Sequence, residues 1–170
     1  CDLIRGQLLA DGYTQVDQIY DYSGTKAQIK NGIENGRRII NYCGHGSQTS
    51  WGTTGFSNSD VNNLTNVGML PIISSVACVN GDFSTTCFGE AWLRATHNGQ
   101  PTGAAAAYMS SINQSWDPPM YGQSCHKNGG KSAFVEFFLD EVSTTVGALL
   151  YGGSCTMMDI VGSGGKDMFM

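Results

Sequence analysis

The chain has 170 residues, 41% of them hydrophobic and 10% aromatic, which is enough apolar material for one domain with a proper core. Only 14% are charged, and the net charge of −5 comes with no basic tract, which argues against a nucleic-acid partner. No apolar run reaches the ~20 residues of a membrane span. No signal-peptide pattern occurs, and a start at Cys1 rather than Met leads us to expect a processed product or a fragment.

In chain order, Cys1 to Gly12 carries Leu3, Leu8 and Leu9 and predicts a short helix. "QVDQIYDY" alternates and predicts a strand. Thr25 opens a second helix: Gln28 stands at capping-box spacing, Ile29 and Ile33 share a face, and Gly36 closes it. "RRIINYC" is β-rich and extended. "SNSDVNNLTNVG" predicts a short helix capped by Ser57, Asn58 or Ser59 and ended by Gly68. "LPIISSVAC" is a buried-strand run with Pro at its start. "CFGEAWLRATHNG" sets Phe88, Ala91, Trp92 and Ala95 on one helical face, with Gly99 as the stop.

"TGAAAAYMSSIN" is assigned as a strand because it completes an alternation of strand and helix, although its alanines also suit a helix. "QSWDPPMYGQSCHKNGG" predicts a long loop and "KSAFVEFFLDEV" a helix. The tail predicts a short extended piece and a last helix. This order implies a mainly parallel sheet with helices on both faces. Ligands in such sheets bind outside the carboxyl ends of the strands.

Two chemically useful residues fall at such ends: His45, after "INYC", and Cys78, after "IISSVA". The thiolate, not the thiol, is the nucleophile, and a histidine within reach can take the thiol proton and later return it to a leaving amine. Amides held by tight glycine turns, such as those at Gly46 and Gly81, can cradle an oxyanion. Each residue alone has a plainer reading, Cys78 as a small core hydrophobe and His45 as a structural imidazole. Their matched placement at two neighbouring strand ends favours the chemistry.

The strings "YCGHGSQTSWG", "VACVNGDF", "CFGEAWLRA" and "SSINQSW", in this order and spacing, resemble the gingipains, secreted cysteine endopeptidases of the caspase-like clan. The likeness runs from about Ser23 to the end; "NGDF", "INQSW" and "PTG" suggest the lysine-specific branch. The resemblance implies a caspase-like three-layer α/β sandwich over residues 1–170, incomplete at both ends. It further implies protein or peptide substrates cleaved after Lys, or else Arg, and a secreted or cell-surface location. His45 matches the catalytic histidine and Cys78 the nucleophile, with Gly46 and Cys78 supplying the oxyanion-hole amides.

Trp116 matches a wall of the primary specificity pocket, and Cys43 stands near that pocket where lysine-specific relatives have Thr. Asp117 suits a basic side chain through a charge-assisted bond, or equally caps the turn before Pro118 and Pro119. The family's third, acidic residue is expected upstream of this chain, with Asp17 and Asp21 as stand-ins only if the site is rearranged. No cofactor is needed for the chemistry. A structural calcium is compatible with Asp82, which also suits a turn cap.

His97 suits a helix end, and His126 beside Cys125 suits a solvated loop. Trp92 suits a core; Trp51 suits either the cleft wall or packing beneath the loop. Six cysteines without a CxxC pair leave disulfide pairing open. Two rival readings remain: an inactive surface or assembly module that kept the fold, and a zinc or redox protein using Cys43, His45 and Cys78.

Overall fold

A computed structural model describes residues 2–114 and 145–161. The chain divides into two compact units, Cys1–Asp17 with Ser115–Met170, and Gln18–Gln114. The first unit contributes helix α1 (Asp2–Ala10) and the last helix, α5 (Val146–Val161). Thr145 opens α5 by accepting the Ala148 amide on its hydroxyl and the Leu149 amide on its carbonyl. The extended piece expected in the tail is absent from this stretch, because "GALLYGG" is the first half of that helix. Ser154 and Thr156 return their hydroxyl protons to the Leu150 and Gly152 carbonyls, the usual accommodation of such residues inside a helix.

The second unit holds a three-stranded parallel sheet in the order β1 (Ile39–Cys43), β4 (Ile72–Val76), β7 (Ala106–Met109). Its register aligns Ile40, Ile73 and Ala107 in one row, and Tyr42, Ser75 and Met109 in the next. Apart from Ser75, those residues belong to or pack against one core with Trp51, Phe56, Phe88 and Trp92. Trp51 stacks on Tyr42 at 4.6 Å between ring centroids and meets Phe88 edge-on at 5.1 Å. Each fully buried aromatic side chain contributes about 1.5–3 kcal/mol relative to exposure. The remaining described elements are α2 (Lys26–Glu34), α3 (Asn58–Asn62), α4 (Phe88–Arg94) and two short hairpins, β2–β3 (Gly46–Ser47 with Ser50–Trp51) and β5–β6 (Thr96–His97 with Gln100–Pro101).

The capping box of α2 forms as the spacing required: Thr25 Oγ1 accepts the Gln28 amide while Gln28 Oε1 accepts the Thr25 amide. Gly36, at φ +80, ends that helix. α3 starts after Ser57, whose amide and hydroxyl both reach Asp60, and it ends at Asn62, well before Gly68. Among the described residues, no helix is long and apolar enough to cross a membrane.

Two expectations fail for definable reasons. "QVDQIYDY" is not a strand; it joins no ladder and runs into a turn at Asp21–Ser23, where the Tyr20 carbonyl accepts the Ser23 and Gly24 amides instead. The helix from Phe88 stops at Arg94, before Gly99. Asn98 and Gly99, both at positive φ, form the turn of the β5–β6 hairpin, which outcompetes one more helical turn. His97 is accordingly a hairpin residue rather than a helix-dipole partner. The loop and helix expected between Ser115 and Val142 lie outside the described residues.

Burial pushes the Asp60 carboxyl up, but bonds from Lys26 and Ser57 outweigh it and hold the group below the ordinary carboxylate range. A depressed folded-state pKa adds stability above the unfolded value of ~3.9, and that stability is lost as pH falls through the folded value. Lys26 is half-exposed, so solvent screens much of the ion pair. Asp60→Ala removes the box and should cost about 1 kcal/mol at neutral pH. The gap in thermal midpoint from the parent protein should shrink once pH drops below about 4. Calorimetry at pH 7 and pH 3 checks this; an equal gap at both contradicts it.

Candidate active site

The last register pair of β1 and β4 is Cys43 opposite Val76. His45 and Cys78 each stand two positions further on, so parallel pairing delivers both to the carboxyl edge of adjacent strands. His45 is exposed and Cys78 half-buried.

The His45 turn is clamped through its backbone. The His45 carbonyl accepts the Tyr42 hydroxyl at 2.7 Å and the Gly52 amide at 2.7 Å. Tyr42 also meets Thr53 Oγ1 at 3.1 Å, so the strand and the returning hairpin share one hydroxyl. Gly46 is required sterically: a Cβ there would stand 2.8 Å from Ala77 Cβ and 2.9 Å from both the Cys78 carbonyl and Asn80 Nδ2. The backbone at Gly46 therefore lies against the Cys78 turn.

That turn is pinned by the loop after β7. Val79, a β-branched residue held at φ 49, donates its amide to the Ile112 carbonyl at 3.0 Å. Such a conformation costs about 1–3 kcal/mol and persists only where its surroundings enforce it. The Gly81 amide reaches the Ser110 carbonyl at 2.8 Å. Cys78 Sγ sits 3.4 Å from both the amide and the carbonyl of Gln114, donating to the carbonyl and accepting from the amide.

Beneath the edge runs a buried relay. Trp51 Nε1 donates to Ser75 Oγ at 3.0 Å, and Ser75 Oγ donates to Asn80 Oδ1 at 3.1 Å. Asn80 Nδ2 donates to the carbonyls of Ser47 and Ser50. Trp51 is thus a core residue under the loop and not a cleft wall, and Trp92 is core as expected. At the rim, Gln48 Nε2 bridges to Asp82 Oδ2 at 2.7 Å and Ser84 Oγ at 2.9 Å.

Asp82 acts as a turn cap. Bonds from the Ser84 amide, from Gln48 and from the Ser84 hydroxyl hold its carboxyl below the ordinary range. Among the described residues no three His, Cys, Asp or Glu side chains are arranged to hold a metal, so the zinc reading of Cys43, His45 and Cys78 finds no support. The described cysteines Cys78, Cys87 and Cys155 are free thiols, and Cys87 caps α4 by accepting the Glu90 amide. Asp17 accepts a bond from Gln15 and Asp21 one from the Tyr22 amide, local contacts of loop residues. Trp116, Asp117, Cys125 and His126 lie outside the described residues.

Ser75, Asn80, Tyr42 and Gln114 were not singled out from sequence. One signal was available: paired serines inside the otherwise apolar "IISSVA" mark buried hydroxyls that need partners.

A parallel α/β sheet with a histidine and a cysteine beyond the ends of adjacent strands is consistent with a caspase-like fold. The comparisons give the family: the model for peptidase family C25 matches residues 5–168, and the chain belongs to that family. It is 38% identical over 169 residues to gingipain R2 of Porphyromonas gingivalis, covering 98% of this chain and 22% of that relative. Lys-gingipain of the same organism is 27% identical over 158 residues, covering 84% of this chain and 9% of that relative. The crystal structure of the Arg-specific cysteine proteinase gingipain R (RGPB) superposes with a TM-score of 0.90 at 37% identity, covering 99% of this chain and 38% of that one.

The family expectation therefore holds, and the leaning toward the lysine-specific branch does not: identity over the whole chain favours the relatives named R. Strings as short as "NGDF" and "PTG" are too brief to separate branches of one family.

Gly46→Ala should destabilise the protein by about 1–3 kcal/mol, because its methyl meets backbone and a packed side chain rather than space. Urea unfolding checks this, and an unchanged midpoint contradicts the close approach of the two loops.

Proposed function

We propose that the protein is a cysteine endopeptidase that hydrolyses peptide bonds after a basic residue, in which Cys78 and His45 do the chemistry. The single observation carrying this is the delivery of Cys78 and His45 to matching positions beyond the adjacent parallel strands β1 and β4. His45 takes the thiol proton, and the Cys78 sulfur attacks the carbonyl carbon of the scissile bond. The amides of Gly46 and Cys78 hold the resulting oxyanion. His45 returns the proton to the leaving amine, leaving a thioester on Cys78; it then activates the water that hydrolyses the thioester.

For the preferred residue, the 38% identity to gingipain R2, against 27% to Lys-gingipain, supports Arg ahead of Lys. Trp116, carried over from the family pattern, and Asp117, whose carboxylate suits a basic side chain, are the proposed contacts, with Cys43 near the same pocket. Family likeness also supports a secreted or cell-surface protein. The chain spans 22% of the length of gingipain R2. An inactive module of the same fold is the weaker reading, because both reactive side chains are present at the strand ends.

Fluorogenic peptides differing only in Arg, Lys or Asp before the reporter test the proposal. Arg peptides should be cleaved with the highest kcat/KM and Asp peptides not at all. Cys78→Ala and His45→Ala should each lower kcat/KM by at least about 10³-fold. Retained cleavage in either variant refutes the assignment, and Lys above Arg refutes the specificity.

A further inference from the structure

We infer that Asn80 is a positioning residue that, with Ser75 and Trp51, sets the His45 loop against Cys78. This rests on the Cys78–His45 reading and extends it. Asn80 and Ser75 are fully buried and Trp51 is 1% exposed, so no water competes for their polar atoms. A buried carboxamide left unmet costs about 1–3 kcal/mol, and here each polar atom is used.

Both protons of the Asn80 amide go to main-chain carbonyls, Ser47 and Ser50, which close the hairpin directly after His45 and Gly46. Its oxygen takes the Ser75 hydroxyl proton, and that hydroxyl accepts the Trp51 indole N–H. Reversing the carboxamide would set its oxygen against two carbonyls, so the network dictates the orientation.

Asn80 follows Cys78 by one intervening residue, the left-handed Val79, and its own carbonyl accepts the Gly89 amide at the start of α4. One side chain therefore spans from the Cys78 turn to the hairpin that follows His45. The relay closes on itself, because Trp51 lies in that same hairpin and Ser75 in the strand that ends near Cys78. The Gln48–Asp82 bridge joins the same two loops at the surface, where water competes with it. The buried relay is the stiffer connection. Small displacements of reacting groups cost disproportionately in rate, which is what such a spacer prevents.

The test uses the complete protein and an Arg-containing fluorogenic peptide. Asn80→Asp keeps the shape but replaces the two donors with an acceptor; Ser75→Ala cuts the relay more mildly and serves if the first variant folds poorly. Each should lower kcat by about tenfold or more while changing KM less than about threefold. In a His45→Ala background the same substitutions should cost less than about twofold further, because a residue acting through His45 has nothing left to position. The Trp51 indole proton should move in the NMR spectrum of both variants.

Lowered thermal stability with kcat unchanged would reduce the relay to a structural role and overturn the inference. So would an undiminished penalty in the His45→Ala background. If His45→Ala itself leaves cleavage intact, the Cys78–His45 reading fails first, an outcome separate from either of these.

Discussion

The Ile72 amide donates to the Arg38 carbonyl, the Gly44 amide donates to the Val76 carbonyl, and between these bonds β1 and β4 run parallel in one register. Everything at the candidate site descends from that pairing. A slip of one residue would turn Tyr42 and Ser75 away from the aromatic core and break the alignment of His45 with Cys78. The register is in turn specified by burial: Ile40, Ile73 and Ala107 must share the face that meets Trp51, Phe56, Phe88 and Trp92. Hydrophobic patterning thereby determines where Cys78 and His45 emerge, without either having to contribute to the core.

Strand pairing brings two loops side by side but leaves them free to splay. Three kinds of contact remove that freedom. Gly46 permits main-chain approach to Ala77 and Cys78. The loop after β7 holds Val79 and Gly81 through Ile112 and Ser110. Asn80 fills the gap beneath with donors matched to the Ser47 and Ser50 carbonyls. The strained backbone at Val79 is consistent with a turn shaped by what it must present, since a β-branched residue at φ 49 has no local reason to stay there.

Much of this was legible in the residues. Cap chemistry located α2, and β-rich runs beginning with paired isoleucines located β1 and β4, because those signals are local and strong. Placing "AAYM" as β7 depended on the alternation of elements, a global argument that overrode alanine's helical preference. The alternating "QVDQIYDY" misled, since a strand also needs a neighbour, and no local pattern reports one. At Asn98–Gly99 two local signals compete, the helical face from Phe88 and the Asn-Gly turn, and the turn prevails. His45 and Cys78 were visible from their place at strand ends. Asn80 was not, because its role exists only once two loops distant in sequence meet.

The central claim is that Cys78 is the nucleophile and that His45 activates it. Reaction of the complete protein with an arginyl chloromethylketone, followed by peptide mass mapping, tests it most directly. The account predicts an adduct on Cys78 and on no other cysteine, with labelling at that position largely lost in His45→Ala. An adduct on Cys43 or another thiol, or undiminished labelling of Cys78 after that substitution, would contradict it.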